Sequence, residues 1–289
     1  MAFNFEKISS GMTPYCKILL YGVQGIGKTT FFERISQAFK NNGLDIKDAL
    51  MIRTETGQSY CAGVDIDTYD ELVGFLQSVI DNPADVAERY HFLGVDTITA
   101  VEKMVHAKAL QEHPRTLNVE ETFGGFGKWQ TGERDRYWAP LLDMFDQVSK
   151  RTGMHVVFIA HSKIEKMTPP GMDVFNKYSI SLDNPRVADY FFQYVDIAGF
   201  ANYEIFTNTV IDGKAHTKDA ERAQKVIKGA LPRVLYLEEQ GAHYAKNRYE
   251  LPSQIPFDAN TFAAAMLQSQ KFRFAAGLPA LTEADQQQQ

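Results

Sequence analysis

Residues 22–29 read G-V-Q-G-I-G-K-T and fit the pattern G-x-x-x-x-G-K-[ST] at every fixed position. The apolar run K-I-L-L-Y at 17–21 precedes them, as a buried strand requires. Phe31, Ile35 and Phe39 follow on one face of a predicted helix. Because a strand, a glycine loop and a helix N-terminus direct backbone N–H groups at one point, we expect a phosphate-binding loop rather than a chance glycine turn.

The residue types within this loop predict individual roles. Glycines let the backbone approach phosphate oxygens without a Cβ in the way. Lys28 is expected to reach the β- and γ-phosphates of a nucleoside triphosphate, and the Thr29 hydroxyl to bind Mg²⁺. The predicted nucleotide-binding residues are Gly22, Val23, Gln24, Gly25, Ile26, Gly27, Lys28, Thr29 and Thr30.

The composition is that of a globular chain. Its 289 residues are 44% hydrophobic and 23% charged, which is enough to bury a full core. The formal net charge of −6 argues against binding of nucleic acid through bulk charge, although a local basic groove stays open. The spacing of Cys16 and Cys61 is not that of a metal or redox motif. Without an apolar run of 18 residues or a signal peptide, the sequence predicts a cytoplasmic protein.

The order of predicted elements favours an α/β fold. Strand and helix signals alternate through residues 15–110, which indicates a parallel sheet with helices on both faces. Two polar segments rich in glycine or proline interrupt this alternation of strands and helices, at 112–136 and 161–186. Long segments of this kind are typical of functional loops. Further strands are expected at 49–53, 90–95, 155–160, 195–206 and 233–237, and further helices from 68, 98, 141 and 258.

Three polar residues follow predicted strands and are candidates for chemistry at the phosphates. Asp96 directly follows the apolar run that ends at Val95, which is the Walker B arrangement. Its carboxylate is expected to hold Mg²⁺ or to accept a hydrogen bond from the Thr29 hydroxyl. An aspartate at this position also suits a helix N-cap. Glu55 is a candidate base for an attacking water, with a solvent-facing turn residue as the alternative. His161 is a candidate γ-phosphate sensor, with an ordinary strand-end histidine as the alternative.

Cations elsewhere in the chain are candidates for intermolecular contacts. Lys246 and Arg248 are spaced to share one side of a strand and suit a phosphate of a neighbouring subunit, although spacing alone favours a solvated turn.

The long segments mix aromatic and basic residues, which suits contact with single-stranded DNA, but the two tryptophans also suit core positions. The candidate DNA-binding residues are Lys128, Trp129, Arg134, Arg136, Lys163 and Lys166.

Together these motifs resemble the RecA-like core ATPases encoded by phages, of the single-strand annealing and recombination type. The resemblance covers residues 15–258. It is carried by the following elements: G-V-Q-G-I-G-K-T-T at 22–30, Glu55, L-G-V-D-T at 93–97, V-F-I-A-H-S-K at 157–163 and A-K-N-R-Y at 245–249.

The resemblance implies a RecA-like P-loop fold with a mostly parallel twisted sheet and an antiparallel C-terminal extension. It implies ATP and Mg²⁺ as cofactors, Glu55 as the catalytic carboxylate and His161 as the sensor. Lys246 and Arg248 look like fingers acting in trans, which implies ATP sites between subunits of a ring or filament. Single-stranded DNA is the implied partner, a single-strand DNA-binding protein a further candidate, and no membrane is involved. The resemblance assigns the ATPase domain to residues 15–258. Composition and pattern predict a polar lead-in at 1–14, a C-terminal helix at 259–276 and a disordered tail at 277–289.

Two other functions use the same phosphate loop. A small-molecule kinase needs arginines close to its acceptor, and Arg134 and Arg136 are the candidates in this sequence. A non-catalytic nucleotide-binding adaptor for replication proteins needs no catalytic carboxylate at Glu55.

Overall fold

The computed structural model of the chain describes residues 12–55, 59–171, 173–204, 210–211, 214–215 and 231–281. Most of the predicted lead-in and most of the predicted tail lie outside these residues.

The described residues form twelve strands and nine α-helices. The strands are β1 Lys17–Gly22, β2 Asp48–Arg53, β3 Ala62–Asp65, β4 Tyr90–Asp96, β5 His155–Met167, β6 Phe175–Ile180, β7 Ile197–Tyr203, β8 Val210–Ile211, β9 Lys214–Ala215, β10 Arg233–Tyr236, β11 Lys246–Asn247 and β12 Gln254–Pro256. The helices are α1 Lys28–Asn41, α2 Tyr69–Asp81, α3 Pro83–Ala87, α4 Ile98–Glu112, α5 Lys128–Glu133, α6 Ala139–Thr152, α7 Pro185–Tyr194, α8 Ala259–Gln268 and α9 Gln270–Ala275. A 3₁₀ segment, Val119–Gly124, and a π-helical turn, Arg134–Trp138, complete the set.

The main sheet has the order β12-β10-β7-β1-β5-β4-β2-β3. The strands from β7 to β3 in this order are parallel, whereas β10, β11 and β12 add antiparallel pairs on one side. The strand carrying the Walker B aspartate, β4, is separated from the phosphate-loop strand β1 by β5. The prediction of an α/β fold with a mostly parallel sheet and an antiparallel C-terminal extension is therefore confirmed.

Two apolar cores lie on opposite faces of this sheet. Leu19 and Tyr21 of β1 belong to the core that includes residues of α2, α4, α6 and α7. Ile18 and Leu20, which alternate with them, belong to the core that includes residues of α1, α8 and α9. Successive side chains of a strand point to opposite faces, so an uninterrupted apolar run is what a strand buried on both faces requires.

The ends of several helices are fixed by local hydrogen bonds. Thr68 accepts from the backbone N–H of Glu71 at 3.2 Å, and the Glu71 carboxylate accepts from the N–H of Thr68 at 3.1 Å. This is the capping box that the sequence predicts at the start of α2. Helix α1 ends before Gly43, which has a φ of 87° that favours glycine.

The two long segments are more ordered than the sequence predicts. The segment 112–136 is largely helical, since it contains the 3₁₀ segment, α5 and part of the π-helical turn. In the segment 161–186, β5 runs on to Met167 and pairs antiparallel with β6 as a hairpin. Helix α7 begins at Pro185, where proline suits the first turn because its missing N–H is not needed there.

The C-terminal region contains two helices where one was expected. Ser269 adopts an extended conformation between α8 and α9 and accepts from the N–H of Phe272 at 3.1 Å. It thereby ends one helix and caps the next. No helix in the described parts of the chain combines the length and apolar character needed to cross a bilayer.

Gly94 of β4 allows α1 to pack closely on the sheet. A Cβ at position 94 would lie 2.5 Å from Cζ of the buried Phe32 ring. We expect Gly94→Ala to lower the free energy of unfolding by about 1–3 kcal/mol through overpacking. Urea unfolding followed by circular dichroism measures this change.

Gly74→Ala is the matched control for this substitution. Gly74 lies within α2, and a Cβ there meets nothing within 4 Å. It should raise stability by roughly 0.5–1 kcal/mol, because alanine is the better helix former. Equal effects of the two substitutions would contradict the packing described for Gly94.

Candidate functional site

The residues predicted to act at the phosphates converge at one edge of the sheet. In the register of the strands, Gly22 pairs with His161 and Arg53 with Asp96. The carboxyl ends of β1, β2 and β4 therefore meet beside His161 of β5, a strand that continues past this point. They surround a cavity of about 300 Å³. The predicted site residues that line it are Gly25, Gly27, Lys28, Thr29, Thr30, Glu55, Asp96 and His161.

The phosphate loop has the backbone that its glycines predict. Gly27 has a φ of 103°, which a residue with a side chain rarely adopts. At Gly22, a Cβ would lie 2.1 Å from the carbonyl oxygen of Ala201 on the adjacent β7. The first glycine is thus required by its contact with the neighbouring strand, and the last by its backbone conformation.

Lys28 is folded back over its own loop. Its Nζ donates to the carbonyl oxygens of Gly22 and Val23, at 3.0 Å each. Burial lowers the pKa of Lys28 to about 8, although the carboxylates of Asp96 and Glu55 act in the opposite direction. The ammonium group is therefore held, poorly hydrated, at the cavity where a phosphate would replace the two carbonyl partners.

Thr29 and Asp96 form the direct contact that the sequence predicts. The Thr29 hydroxyl donates to Oδ2 of Asp96 at 2.6 Å. Burial raises the pKa of Asp96, an effect that the hydrogen bond from Thr29 opposes. The pair offers two oxygen donors at one point of the cavity, which suits Mg²⁺ because this ion takes few protein ligands and completes its shell with phosphates and water. Within the described residues, no group of three or more His, Cys, Asp or Glu side chains forms a metal cluster.

Glu55 is oriented by the residue that follows Asp96. Thr97 donates its hydroxyl to Oε1 of Glu55 at 2.9 Å and accepts from the N–H of Ala100 at 3.1 Å, which caps α4. The Nε2 atom of His161 lies 3.6 Å from the same carboxylate oxygen. Glu55, which follows β2, and His161 of β5 therefore lie side by side at the cavity.

The ends of β2 and β4 are joined through a second threonine. The N–H of Thr97 donates to the Thr54 hydroxyl at 2.7 Å, and this hydroxyl donates to the Thr97 carbonyl at 2.9 Å. This exchange fixes the backbone from which Glu55 projects.

Lys246 and Arg248 lie away from the phosphate loop of their own chain. Lys246 pairs with Ala198 near the start of β7, and its Nζ donates to the carbonyls of Phe192 and Gln193 at the end of α7. Arg248 forms an ion pair with Asp196 at 2.8 Å. At roughly 3.3 Å per residue, Asp196 lies about 16 Å along the sheet from the level of Gly22. The structure does not bring these two cations to the cavity.

Most of the candidate DNA-binding residues in the segment 112–136 have partners within the chain. Arg134 pairs with Asp135 and Arg136 with Glu112. Trp129 is buried, with its ring edge-on to His106, so its placement argues against the predicted stacking on bases. Lys128 is exposed.

The two lysines of the hairpin are placed differently from each other. Lys163 donates to the carbonyl of Leu182 and pairs with Glu165 at 3.1 Å. Lys166 and Ile164 are exposed on the face of the hairpin opposite to that of Lys163. The outer face of the hairpin thus combines a cation with an apolar side chain.

Buried charged groups join α4 and α5 to the start of α7. Glu102 of α4 accepts from the backbone N–H groups of Asp183 and Asn184, at 2.6 and 3.0 Å. Burial raises the pKa of Glu102, against these hydrogen bonds. Burial alone would lower the pKa of His106. The carboxylates of Glu133, with Oε2 3.4 Å from Nε2 of His106, and of Glu102 outweigh this effect, so the pKa of His106 is raised. This cluster fixes the segment 128–133 against α4, which explains the burial of Trp129 and Glu133.

Sequence reasoning did not single out Glu33, Met51, Arg53, Ser59 and Thr97, which line the cavity, or Arg233, which contacts the phosphate loop. The hydroxyl of Thr97 stands directly after the Walker B aspartate, and that position was the available signal. Arg233, at the start of β10, donates from Nη1 to the carbonyl of Ile26 in the phosphate loop at 3.0 Å. It lies 207 positions from Ile26, so no local pattern predicts the contact.

The comparisons with known proteins agree with this geometry. The model of the family AAA_24, described as an AAA domain, matches residues 15–249. No curated protein matches the chain.

Two solved structures are similar to the chain at low identity. The RadB recombinase is 11% identical, with 87% of this chain and 91% of that chain covered and a TM-score of 0.44. The flagellar accessory protein FlaH from Methanocaldococcus jannaschii is 11% identical, with 84% of each chain covered and a TM-score of 0.42. These likenesses are too distant to assign a substrate or a partner. The family match covers most of the sequence, and the chain belongs to the AAA domain family AAA_24.

Proposed function

We propose that the protein is a Mg²⁺-dependent ATPase that binds single-stranded DNA in phage recombination or annealing, as a ring or filament in the host cytoplasm. The observation that carries the proposal is the Glu55 carboxylate, held by Thr97 at 2.9 Å beside the cavity that contains Lys28 and the Thr29–Asp96 pair. A positioned carboxylate next to a phosphate loop favours hydrolysis over nucleotide binding alone.

The side chains at the cavity have different roles in hydrolysis. Lys28 balances charge on the phosphates, and Glu55 orients a water molecule and accepts its proton. His161, 3.6 Å from Glu55, is placed to exchange this partner for a phosphate oxygen. The position of His161 would then differ between the nucleotide-bound and free states.

Thr29 and Asp96 are the residues that would hold Mg²⁺. When bound, the ion neutralises charge on the phosphates. The hydrogen bond between the two side chains keeps both oxygens at the same point of the cavity before any ligand arrives.

The hairpin formed by residues 162–167 of β5 and 175–180 of β6, here called the contact hairpin, is the proposed surface for single-stranded DNA. Its first arm continues β5 directly from His161, and the N–H of Ser181 after its second arm donates to the His161 carbonyl at 2.8 Å. Both arms are therefore tied to the residue that would respond to nucleotide. Ile164 and Lys166 on its outer face suit contacts with bases and phosphates of a single strand, a mode of binding that shows little sequence preference.

An assembly with shared ATP sites is part of the proposal. Arg248 is 56% exposed and lies at the sheet edge opposite the phosphate loop of its own chain. A role of Arg248 in hydrolysis therefore requires the site of a neighbouring protomer. Lys246, bonded to the end of α7, is the weaker candidate for such a role. A single-strand DNA-binding protein remains a candidate partner.

The alternative function of a small-molecule kinase loses its main support. Arg134 and Arg136, the candidate lid arginines, are paired with carboxylates and do not line the cavity at the phosphate loop. A non-catalytic adaptor differs from the proposed ATPase in one respect that is easily measured, since it would not depend on Glu55.

We expect Glu55→Gln to lower the ATP turnover number by about 10²-fold or more, the usual contribution of a general base. The affinity for ATP should stay close to that of the wild type, because Lys28 and the loop backbone remain. Steady-state phosphate release and calorimetric titration with ATP measure the two quantities.

Thr97 provides a matched pair for the same prediction. Thr97→Val removes the hydroxyl that orients Glu55 and should lower turnover by about tenfold, since misplacing a catalytic group costs up to about 10²-fold. Thr97→Ser keeps the hydroxyl and should behave like the wild type. Unchanged turnover in both Glu55→Gln and Thr97→Val would contradict the role given to Glu55, whereas a wild type that binds ATP without measurable turnover would favour the adaptor.

We expect the double variant Ile164→Ala/Lys166→Ala to weaken ATP-dependent binding of a single-stranded oligonucleotide by about tenfold or more, since apolar contact with the bases and the charge contact with a phosphate are both lost. Fluorescence anisotropy over a range of salt concentrations measures the affinity and its salt dependence. Basal ATP turnover should be retained. If the wild type binds no oligonucleotide at low salt in the presence of ATP, the DNA part of the proposal is wrong.

A further inference from the structure

The peptide between Ile26 and Gly27 in the phosphate loop is fixed at both ends but can turn between them. The Ile26 side chain is buried, and the Gly27 carbonyl accepts from the N–H of Phe31 at 2.9 Å in the first turn of α1. The trans peptide that joins the two residues turns through ψ of Ile26 and φ of Gly27. Because glycine adopts positive and negative φ with similar ease, the residue type that lets the loop approach a phosphate also lets this peptide turn.

The orientation of this peptide decides whether it attracts or repels a phosphate. The C=O and N–H groups of a trans peptide point in opposite directions. When the Ile26 carbonyl points away from the bound phosphates, the Gly27 N–H points toward them and can donate to a phosphate oxygen. The reverse orientation would bring a carbonyl oxygen next to negative charge. A phosphate-binding loop therefore needs a contact that holds the Ile26 carbonyl outward.

Arg233 supplies a contact of this kind from outside the loop. Its Nη1 donates to the Ile26 carbonyl at 3.0 Å. Gly27 lines both the cavity that contains Lys28 and Thr29 and a small recess of about 30 Å³, whereas Arg233 lines the recess and not the cavity. The guanidinium group therefore holds the carbonyl on the recess side of the loop. Because the donor is charged, this hydrogen bond is stronger than one between neutral groups.

The backbone of Arg233 is itself fixed on both sides. In β10, Arg233 pairs with Tyr203 of β7, and its carbonyl accepts from the N–H of Phe257 at 2.8 Å. Strand β7 also pairs with β1, the strand that leads into the phosphate loop. The guanidinium group is thus anchored to the same sheet that carries the loop.

We propose that Arg233 is a positioning residue for the phosphate loop, which holds the Ile26 carbonyl outward and thereby directs the Gly27 N–H at the bound phosphates. The inference rests on the proposed function, because it requires that the loop binds a nucleotide. Arg233 acts through the loop backbone and not by contact with the ligand. Its effect is therefore the same for any ligand with a phosphate chain, with or without a nucleoside.

The Gly27 amide can be observed alone by nuclear magnetic resonance. The pair Ile-Gly occurs once in the sequence, at 26–27, so ¹³C in the isoleucine carbonyl and ¹⁵N in glycine together select this one amide signal. We expect inorganic tripolyphosphate with Mg²⁺ to move the wild-type signal downfield, as a new hydrogen bond to phosphate does. Arg233→Met keeps an apolar stem without a donor and should lose most of this shift. Arg233→Lys can still donate to the Ile26 carbonyl and should keep it.

Calorimetric titration gives the same comparison as an affinity. Arg233→Met should weaken binding of tripolyphosphate and of ATP, both with Mg²⁺, by the same factor of about tenfold, as the loss of one charge-assisted hydrogen bond predicts. Arg233→Ala, a second variant without a donor, should match Arg233→Met, and Arg233→Lys should recover most of the loss. Arg34→Ala is the matched control, since it removes another exposed arginine at the same recess, and it should change neither affinity.

The possible results separate the inference from its rivals. Unchanged affinity and an unchanged Gly27 shift in Arg233→Met would overturn it. An equal loss in Arg34→Ala would also overturn it, because positive charge alone would then explain the effect. A lower free energy of unfolding in urea with unchanged affinity would leave Arg233 a purely structural role. A wild type that binds neither ligand would contradict the proposed function itself, whereas binding of both ligands with no loss in Arg233→Met contradicts only the inference.

Discussion

Parallel pairing of β1, β5 and β4 is the constraint on which the rest of the site depends. Gly22 pairs with His161 and Asp96 with Ile159, so residues from positions far apart in the chain end at the same edge of the sheet. The apolar runs that form these strands are buried on both faces, which leaves the strand ends as the places where polar groups can gather. The 2.6 Å hydrogen bond from Thr29 to Asp96 is a direct result of this pairing.

Hydrogen bonds also connect the site to the contact hairpin and to the start of α7. The backbone N–H of His161 donates to the Thr99 hydroxyl at 3.2 Å, and its carbonyl accepts from Ser181 at 2.8 Å. Glu102 of the same helix as Thr99 holds the residues that lead from the contact hairpin into α7. A change at the cavity therefore has a continuous path of hydrogen bonds to the hairpin, through elements that are each well packed.

Local sequence was sufficient for the features that are set by local chemistry. The glycine pattern around Lys28 predicts the loop backbone, and the rule that parallel strand ends converge places Asp96 and His161 beside it. Thr97 directly follows Asp96, so the same rule could have placed it at the site. The contact of Arg233 with Ile26 was not predictable in this way, because it joins positions 207 apart whose proximity depends on the whole sheet. The same reason explains Trp129: its burial depends on packing against α4, which a count of neighbouring cations and aromatic rings does not reveal.

The central claim is that the loop around Lys28 and the Thr29–Asp96 pair bind a nucleotide together with its metal ion. Calorimetric titration of ATP in the presence of Mg²⁺ and in the presence of EDTA, with the wild type and with Thr29→Val, tests it most directly. The account predicts that Mg²⁺ tightens binding to the wild type by about tenfold or more, a difference of about 1.4 kcal/mol, and that Thr29→Val loses this gain. Equal affinity of the wild type with and without Mg²⁺, or no binding at all, would contradict it.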